Sequence, residues 1–114
     1  MPERGEIWLA NLDPQFGTEP GKTRPVLLVQ SQALIDAGHP STLVIPLTTR
    51  LVEDAEPLRI RVAASGRLAK DSDLLVDQLR AIDNRRLLRP VARVSATVLE
   101  KVQLAIREVL DLPD

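Results

Sequence analysis

The chain has 114 residues, 44% of them hydrophobic and 27% charged, and its 15 Lys and Arg against 16 Asp and Glu leave a formal net charge of −1. That length predicts one domain over 1–114 of ordinary soluble composition, small enough to gain from burial against a partner. The absence of cysteine excludes a disulfide framework, a thiolate metal site and a cysteine nucleophile. No apolar run approaches the roughly 18 residues of a membrane span. Met1-Pro2-Glu3-Arg4 leads into a strand-like segment and not a secretory apolar stretch, so a cytoplasmic protein is expected.

In chain order, residues 6–12 read as a strand ended by the Asp13-Pro14 turn signal. Residues 13–24 contain two each of Pro, Gly and Thr and read as one long loop, a length more often functional than incidental. Residues 25–30, an uninterrupted apolar run, predict a strand buried on both faces. A short turn or helix follows in 31–40, broken at Gly38-His39-Pro40, and 42–49 predicts a strand whose Pro46 suggests an edge or a bulge. After an acidic, proline-ended loop, residues 58–62 alternate apolar residues with Arg59 and Arg61, the pattern of a half-buried strand. Residues 63–73 read as a loop around Gly66, and 74–82 as a strand, although the pattern leaves a short helix open. Asp83-Asn84 begins a turn and 89–94 gives a last short strand. From Ser95 the spacing changes: Val98, Leu99, Val102, Ala105, Ile106, Val109 and Leu110 define a helical face, with Ser95 as N-cap and Pro113 as stop. Five or six short strands and one helix predict a mainly β fold, a small barrel or strongly bent sheet covered by the C-terminal helix.

A near-neutral total argues against a nucleic-acid partner, but the distribution is uneven. Residues 1–58 carry −4, residues 59–93 carry +5 and residues 94–114 carry −2. Twelve of the fifteen cations are arginine, whose planar fork suits phosphate. On composition alone, arginines decorating solvated strand faces are the simpler reading.

Several enzyme classes fail on inventory. His39 is the only histidine and sits in a Gly-His-Pro turn, so neither a histidine pair nor a Ser-His-Asp triad is expected. Gly-rich nucleotide motifs are absent, and no His/carboxylate spacing resembles a metal-ligand set; Glu53, Asp54 and Glu56 read as a solvated loop. Two places remain. The loop Gly17-Thr18-Glu19-Pro20-Gly21-Lys22-Thr23-Arg24 offers backbone N–H groups, hydroxyls and positive charge to a phosphate. Pro46-Leu47-Thr48-Thr49-Arg50 ends a strand with paired hydroxyls and a cation. Each taken singly also fits an ordinary loop or strand end.

Together these residues carry a resemblance. Arg4-Gly5-Glu6-Ile7-Trp8 through Asp13-Pro14, then Gly17-Thr18-Glu19, then Arg24-Pro25-Val26-Leu27-Leu28-Val29-Gln30 resemble the MazF/PemK toxin family. So do Val44-Ile45-Pro46-Leu47-Thr48-Thr49 and Lys70-Asp71-Ser72-Asp73 with Asp77-Gln78-Leu79-Arg80-Ala81-Ile82-Asp83, all in the family's order and spacing. The resemblance implies an SH3-like barrel that works as a homodimer, and a metal-independent, cofactor-free endoribonuclease that cuts single-stranded RNA at short motifs. It also implies a toxin–antitoxin pair: an antitoxin with an acidic, disordered tail holds the toxin inactive, and the complex binds DNA. The catalytic arginine and threonine of the family correspond to Arg24 and Thr48, and the acidic residue after its Gly-Ser corresponds to Glu19. Thr18 stands where the family more often has serine, and nothing carries over for residues 50–57.

Metal-free RNA cleavage uses the ribose 2′-OH as nucleophile and needs a proton acceptor, a proton donor and charge stabilisation on the phosphate. Arg24 and Thr48 suit stabilisation. The resemblance adds an acid–base role for Arg24, which a guanidinium fills reluctantly, so proton transfer is expected to be shared among Arg24, Glu19 and water. Thr18, Lys22, Thr49, Arg50, Gln78, Arg80 and Arg86 are candidate RNA contacts, as is Phe16 by stacking on a base. Arg59, Arg61 and Arg85 are further candidates to track phosphates, and Trp8 is expected in the core or at a dimer interface. Two other readings stay open: a CcdB-like gyrase poison of the same fold, disfavoured because the chain ends Leu112-Pro113-Asp114 without tryptophan, and an inactive RNA- or antitoxin-binding relative.

Overall fold

The computed structural model describes residues 2–19 and 21–113; Met1, Pro20 and Asp114, which belong to segments read above, lie outside it. Strand β1 (Glu6–Asn11) pairs antiparallel with β2 (Thr23–Leu28), in a register that sets Ala10 opposite Arg24. A single-turn helix α1 (Gln32–Asp36) separates β2 from β3 (Ser41–Thr48). Then follow β4 (Arg59–Val62), β5 (Ser72–Leu75), β6 (Arg80–Asp83), β7 (Leu87–Arg93) and helix α2 (Ala96–Val109). The sheet order is β4-β5-β3-β2-β1-β7, with β6 also on β3, and every pairing is antiparallel. The mainly β architecture with a C-terminal helix is therefore as expected, with seven strands among the described residues in place of five or six.

β3 makes the sheet bend. Its first half, Ser41 to Val44, pairs with β6, while Leu47 and Thr48 pair with β5. Pro46 lies between those two stretches, opposite Val26 of β2. It is thus not at an edge: a residue without an N–H is tolerated inside the strand because β3 changes neighbours there. The 74–82 segment also differs from expectation. It divides into β5, a 3-10 turn at Val76–Gln78 and β6, because Leu74 pairs with both Leu47 and Ile60 whereas Ile82 pairs with Thr42 at the other end of β3. One continuous strand cannot serve both ends. The sheet ends β4 and β7 come together through the loop between β4 and β5, where the Arg67 N–H donates to the Val91 carbonyl at 2.7 Å.

Two apolar clusters flank the sheet. Leu27, with Ile7, Ile45, Ile60 and Leu74, joins the cluster beneath α2, to which Val102 and Ala105 contribute from the helix. Val26 and Leu28 join the other cluster, with Leu12, Val44 and Ile82. Alternate residues of β2 thus enter opposite cores, which is why its sequence is apolar without a break. Trp8 packs half-buried against the second cluster and donates its indole N–H to Glu6.

Helix α2 begins as expected, with the Ser95 hydroxyl accepting from the Val98 N–H. Its end is different. Asp111 adopts φ 54°, and the Leu112 and Asp111 N–H groups donate to the Arg107 and Glu108 carbonyls. This double closure stops the helix before Pro113 is reached and leaves Leu110 half exposed, off the packed face. No helix among the described residues is long and apolar enough to cross a membrane.

Candidate active site

The long loop between β1 and β2 is tied at its base. The Leu12 N–H donates to the Lys22 carbonyl at 2.8 Å, and the Asp13 carboxylate accepts from the Lys22 N–H. Arg86 grips the same base from below, donating to the carbonyls of Asn11 and Asp13. Lys22 itself turns through φ 63°, a left-handed conformation that few side chains adopt. Beside it Gly21 is a necessity: a Cβ there would stand 2.5 Å from the Gln15 Cβ. The loop therefore leaves the sheet and returns along a constrained path.

That path sets Arg24. Placed at the start of β2, its Nε donates to the Gly21 carbonyl at 2.9 Å and its Nη1 reaches the Leu47 carbonyl of β3 at 3.4 Å. Two backbone acceptors from different elements thus hold the guanidinium, and no hydrogen bond among the described residues uses Nη2. Thr48 ends β3 close by. Its hydroxyl accepts from the Arg50 N–H at 3.2 Å, so one of its two lone pairs is engaged while its proton remains to be donated.

An open cleft of about 590 Å³ lies between the loop and the end of β3. Arg24, Thr48 and Glu19 line it, and so do Thr18, Lys22, Thr49 and Arg50. Seven of the site residues expected from sequence are brought together here. Gln15 also lines the cleft and carries no signal of its own in the sequence, being one polar residue in a loop. Chemically the cleft offers a fixed fork, hydroxyl donors, two further cations and one carboxylate, groups able to hold an anion and to take a proton. Among the described residues no group of His, Cys, Asp or Glu is gathered as a metal site.

The segment that follows Thr48 and Thr49 is braced by a residue the sequence does not single out for this purpose. Asp73, opposite Thr48 in the β3–β5 register, is 1% exposed in its side chain. Its Oδ1 accepts from Arg61 at 2.6 Å, and its Oδ2 from the Val52 N–H at 2.9 Å and from Arg59 at 3.2 Å. Arg59 in turn donates to the Arg50 carbonyl at 2.8 Å. Burial tends to raise the Asp73 pKa, but the hydrogen bonds from Arg61, Val52 and Arg59 outweigh it and hold the carboxyl below the usual carboxylate range. Arg59 and Arg61 are therefore committed to the scaffold of the 48–53 segment and not free to follow phosphates.

Known proteins share the sequence pattern and the fold of this chain. The family model described as PemK-like, MazF-like toxin of type II toxin–antitoxin system matches residues 3–110. The chain belongs to that family. It is 33% identical over 117 residues to Endoribonuclease MazF9 of Mycobacterium tuberculosis, covering 98% of each chain. It is 30% identical over 116 residues to Endoribonuclease EndoA of Bacillus subtilis, covering 98% of this chain and 97% of the relative. Its fold superposes on the crystal structure of MazF from Deinococcus radiodurans with a TM-score of 0.81 at 27% identity, over 97% of both chains. A second crystal structure from that organism, MazE-MazF (Form-III), gives 0.77 at 25% identity over 98% of both.

In this MazF-like fold the other expected contacts stand off the cleft. Phe16 is on the same loop and 68% exposed, but does not line the cavity. Gln78 sits half-buried in its 3-10 turn, and Arg80 lies on β6 with a buried Nη1 that finds no partner among the described residues. Arg86 is the brace of the loop base, and Arg85 pairs with Asp83, holding that carboxyl at about 2. Conversely, Arg67, Lys70 and Arg89 line a neighbouring pocket. In the sequence they are only part of the basic stretch, indistinguishable from arginines that are paired.

Proposed function

We propose that this chain is a ribosome-independent endoribonuclease, the toxin of a type II toxin–antitoxin pair. It acts in the cytoplasm as a single domain, residues 1–114, assembled into a homodimer. The observation that carries the reading is the meeting of Arg24, Thr48 and Glu19 on one open cleft, with Arg24 held by two backbone carbonyls. The Mycobacterium and Bacillus relatives, both named endoribonucleases, support it.

The ribose 2′-oxygen attacks the adjacent phosphorus; the new O–P bond forms as the P–O5′ bond breaks in line. Arg24 and the Thr48 hydroxyl donate to the non-bridging oxygens, whose charge grows as the five-coordinate species forms. Because Arg24 is already immobilised, little reorganisation accompanies that stabilisation. Glu19 takes the 2′-OH proton, directly or through water, and Arg24 and water share its delivery to the leaving O5′. Lys22 and Arg50 bind flanking phosphates. No metal or cofactor takes part. The antitoxin, whose acidic tail competes with RNA for this basic cleft, keeps the toxin inactive; the MazE-MazF structure from Deinococcus radiodurans supports a protein partner of this kind.

The test is a cleavage assay on a mixed-sequence RNA in the presence of EDTA. The expected products are a 2′,3′-cyclic phosphate and a 5′-OH, unchanged by chelation. A 3′-OH with a 5′-phosphate, or activity lost to EDTA, overturns the mechanism.

A further inference from the structure

Six cations, Lys22, Arg50, Arg67, Lys70, Arg80 and Arg89, have side chains that make no hydrogen bond or ion pair within the described residues. Two of them, Lys22 and Arg50, line the Arg24 cleft. Three more, Arg67, Lys70 and Arg89, line a separate pocket of about 290 Å³. Only Arg80 lies elsewhere. The cations that the fold leaves uncommitted are thus gathered around two cavities, and the two are joined: Pro25, Leu47, Thr48 and Thr49 line both.

The two cavities differ in chemistry. The first is polar, with Gln15, Thr18 and Glu19 in its lining. The second has apolar walls from Leu9, Leu47, Leu68 and Val91, and among the described residues no acidic side chain lines it. Thr48 stands between them. A phosphodiester gripped at Thr48 has one nucleoside on each side, and Thr48 lines a cavity on both of its sides.

We propose that the second pocket receives the base on the side of the scissile phosphate away from Glu19, and that Arg67, Lys70 and Arg89 hold the phosphates beyond it. The inference rests on the endoribonuclease reading. Apolar walls remove the faces of a base from water, and arginine planes at the rim can lie against it. Cations without an acidic partner bind a polyanion at no cost in broken ion pairs, and each phosphate they neutralise releases counterions. Recognition is then divided. The polar cleft reads base edges by hydrogen bonds, whereas the apolar pocket selects by size and fit, a weaker discriminator. The prediction is a recognition sequence stricter on one side of the cut than on the other.

The experiment first maps the cut in a mixed-sequence RNA, then measures kinetics on an oligoribonucleotide of that sequence. Affinity is read on an analogue with 2′-deoxyribose at the nucleophilic position. In the double variant Arg67→Ala/Arg89→Ala, KM is expected to rise roughly ten-fold, more than kcat falls. The slope of log Kd against log salt becomes shallower by about 1.4, from two lost single-strand phosphate contacts at about 0.7 each. Ala69→Trp, at the exposed rim of the same pocket, supplies a second signature: a raised KM on the intact oligonucleotide, relieved when one flanking nucleotide is made abasic. Unchanged KM and salt slope in variants of a wild type that does cleave overturn the inference while leaving the function standing. So does a shift of the monomer–dimer equilibrium in sedimentation with RNA affinity per dimer unaltered, which assigns the pocket to a second copy of the chain. A wild type that cuts no RNA overturns the functional reading and this inference with it.

Discussion

Arg24 and Arg61 carry the same guanidinium and are put to opposite uses by their neighbours. Arg24 rests on uncharged carbonyls, so no carboxylate offsets its positive charge among the described residues, whereas Arg61 meets Asp73 and Glu53 and is neutralised where it stands. Substituting Arg24 or Thr48 by Ala is expected to reduce RNA cleavage by at least about 10²-fold, the scale of removing a donor from a preorganised anion site, while the thermal transition stays close to that of the wild type; comparing cleavage rates with calorimetry on the same samples checks both halves. Asp73→Asn is a contrasting substitution. Its native carboxylate is buried and accepts from three donors, so the variant is expected to lose roughly 2–4 kcal/mol of stability at neutral pH. The pH dependence follows from the lowered pKa: the carboxylate's contribution is complete above the unfolded carboxyl value of about 3.9 and fades as pH falls through the lower folded value. The gap in Tm between wild type and Asp73→Asn should therefore narrow on acidification below about pH 4, and a gap constant down to about pH 2 would count against the pairing. Arg24 and Thr48 are legible in the sequence because their blocks match a family pattern. The role of Asp73 is not, since it depends on β4 lying beside β5, with Arg61 opposite Asp73 in register.

Among the elements, α2 is the most readable. Its apolar spacing is local, its cap is a single serine, and Val102 and Ala105 bury as that spacing requires. Ser95→Ala is expected to lower stability by about 1 kcal/mol through loss of the bond to the Val98 N–H, measurable in urea. At the other end, Asp111→Gly places a residue suited to φ 54° at the position closing the helix, and a gain of up to about 1 kcal/mol should appear in the same denaturation curves. The strands are harder. The β3 reading holds within a residue at each end, but its Pro46 suggests an edge where the fold has a shared central strand. The 74–82 run is apolar enough for one strand, and only the separate claims of the two ends of β3 divide it. A pattern of period two reports that one face is buried; it is silent about which neighbour supplies the burial.

For the whole molecule, the formal charge of −1 is a poor guide to partners. Opposite charges are sorted in space: Asp73, Asp83, Glu53, Glu56 and Glu3 pair with cations, while Lys22, Arg50, Arg67, Lys70 and Arg89 stay open around two joined cavities. If an acidic antitoxin tail occupies that surface, inhibition of RNA cleavage should weaken as salt rises from roughly 50 to about 300 mM. Exposed charges become screened over that range, the Debye length being on the order of 10 Å at 0.1 M. Inhibition indifferent to salt would point to apolar contacts in its place.

The fold class, the C-terminal helix and the long loop before Arg24 are set by patterns along the chain, and the resemblance to the family adds Thr48 as the partner of that loop. All of these are written in local spacing or in motifs kept in order along the chain. Which of the fifteen cations are spent and which are free is settled by the assembled sheet. An ion pair forms between residues made neighbours by strand register, as with Arg59 and Arg61 against Asp73, and no local pattern records that meeting.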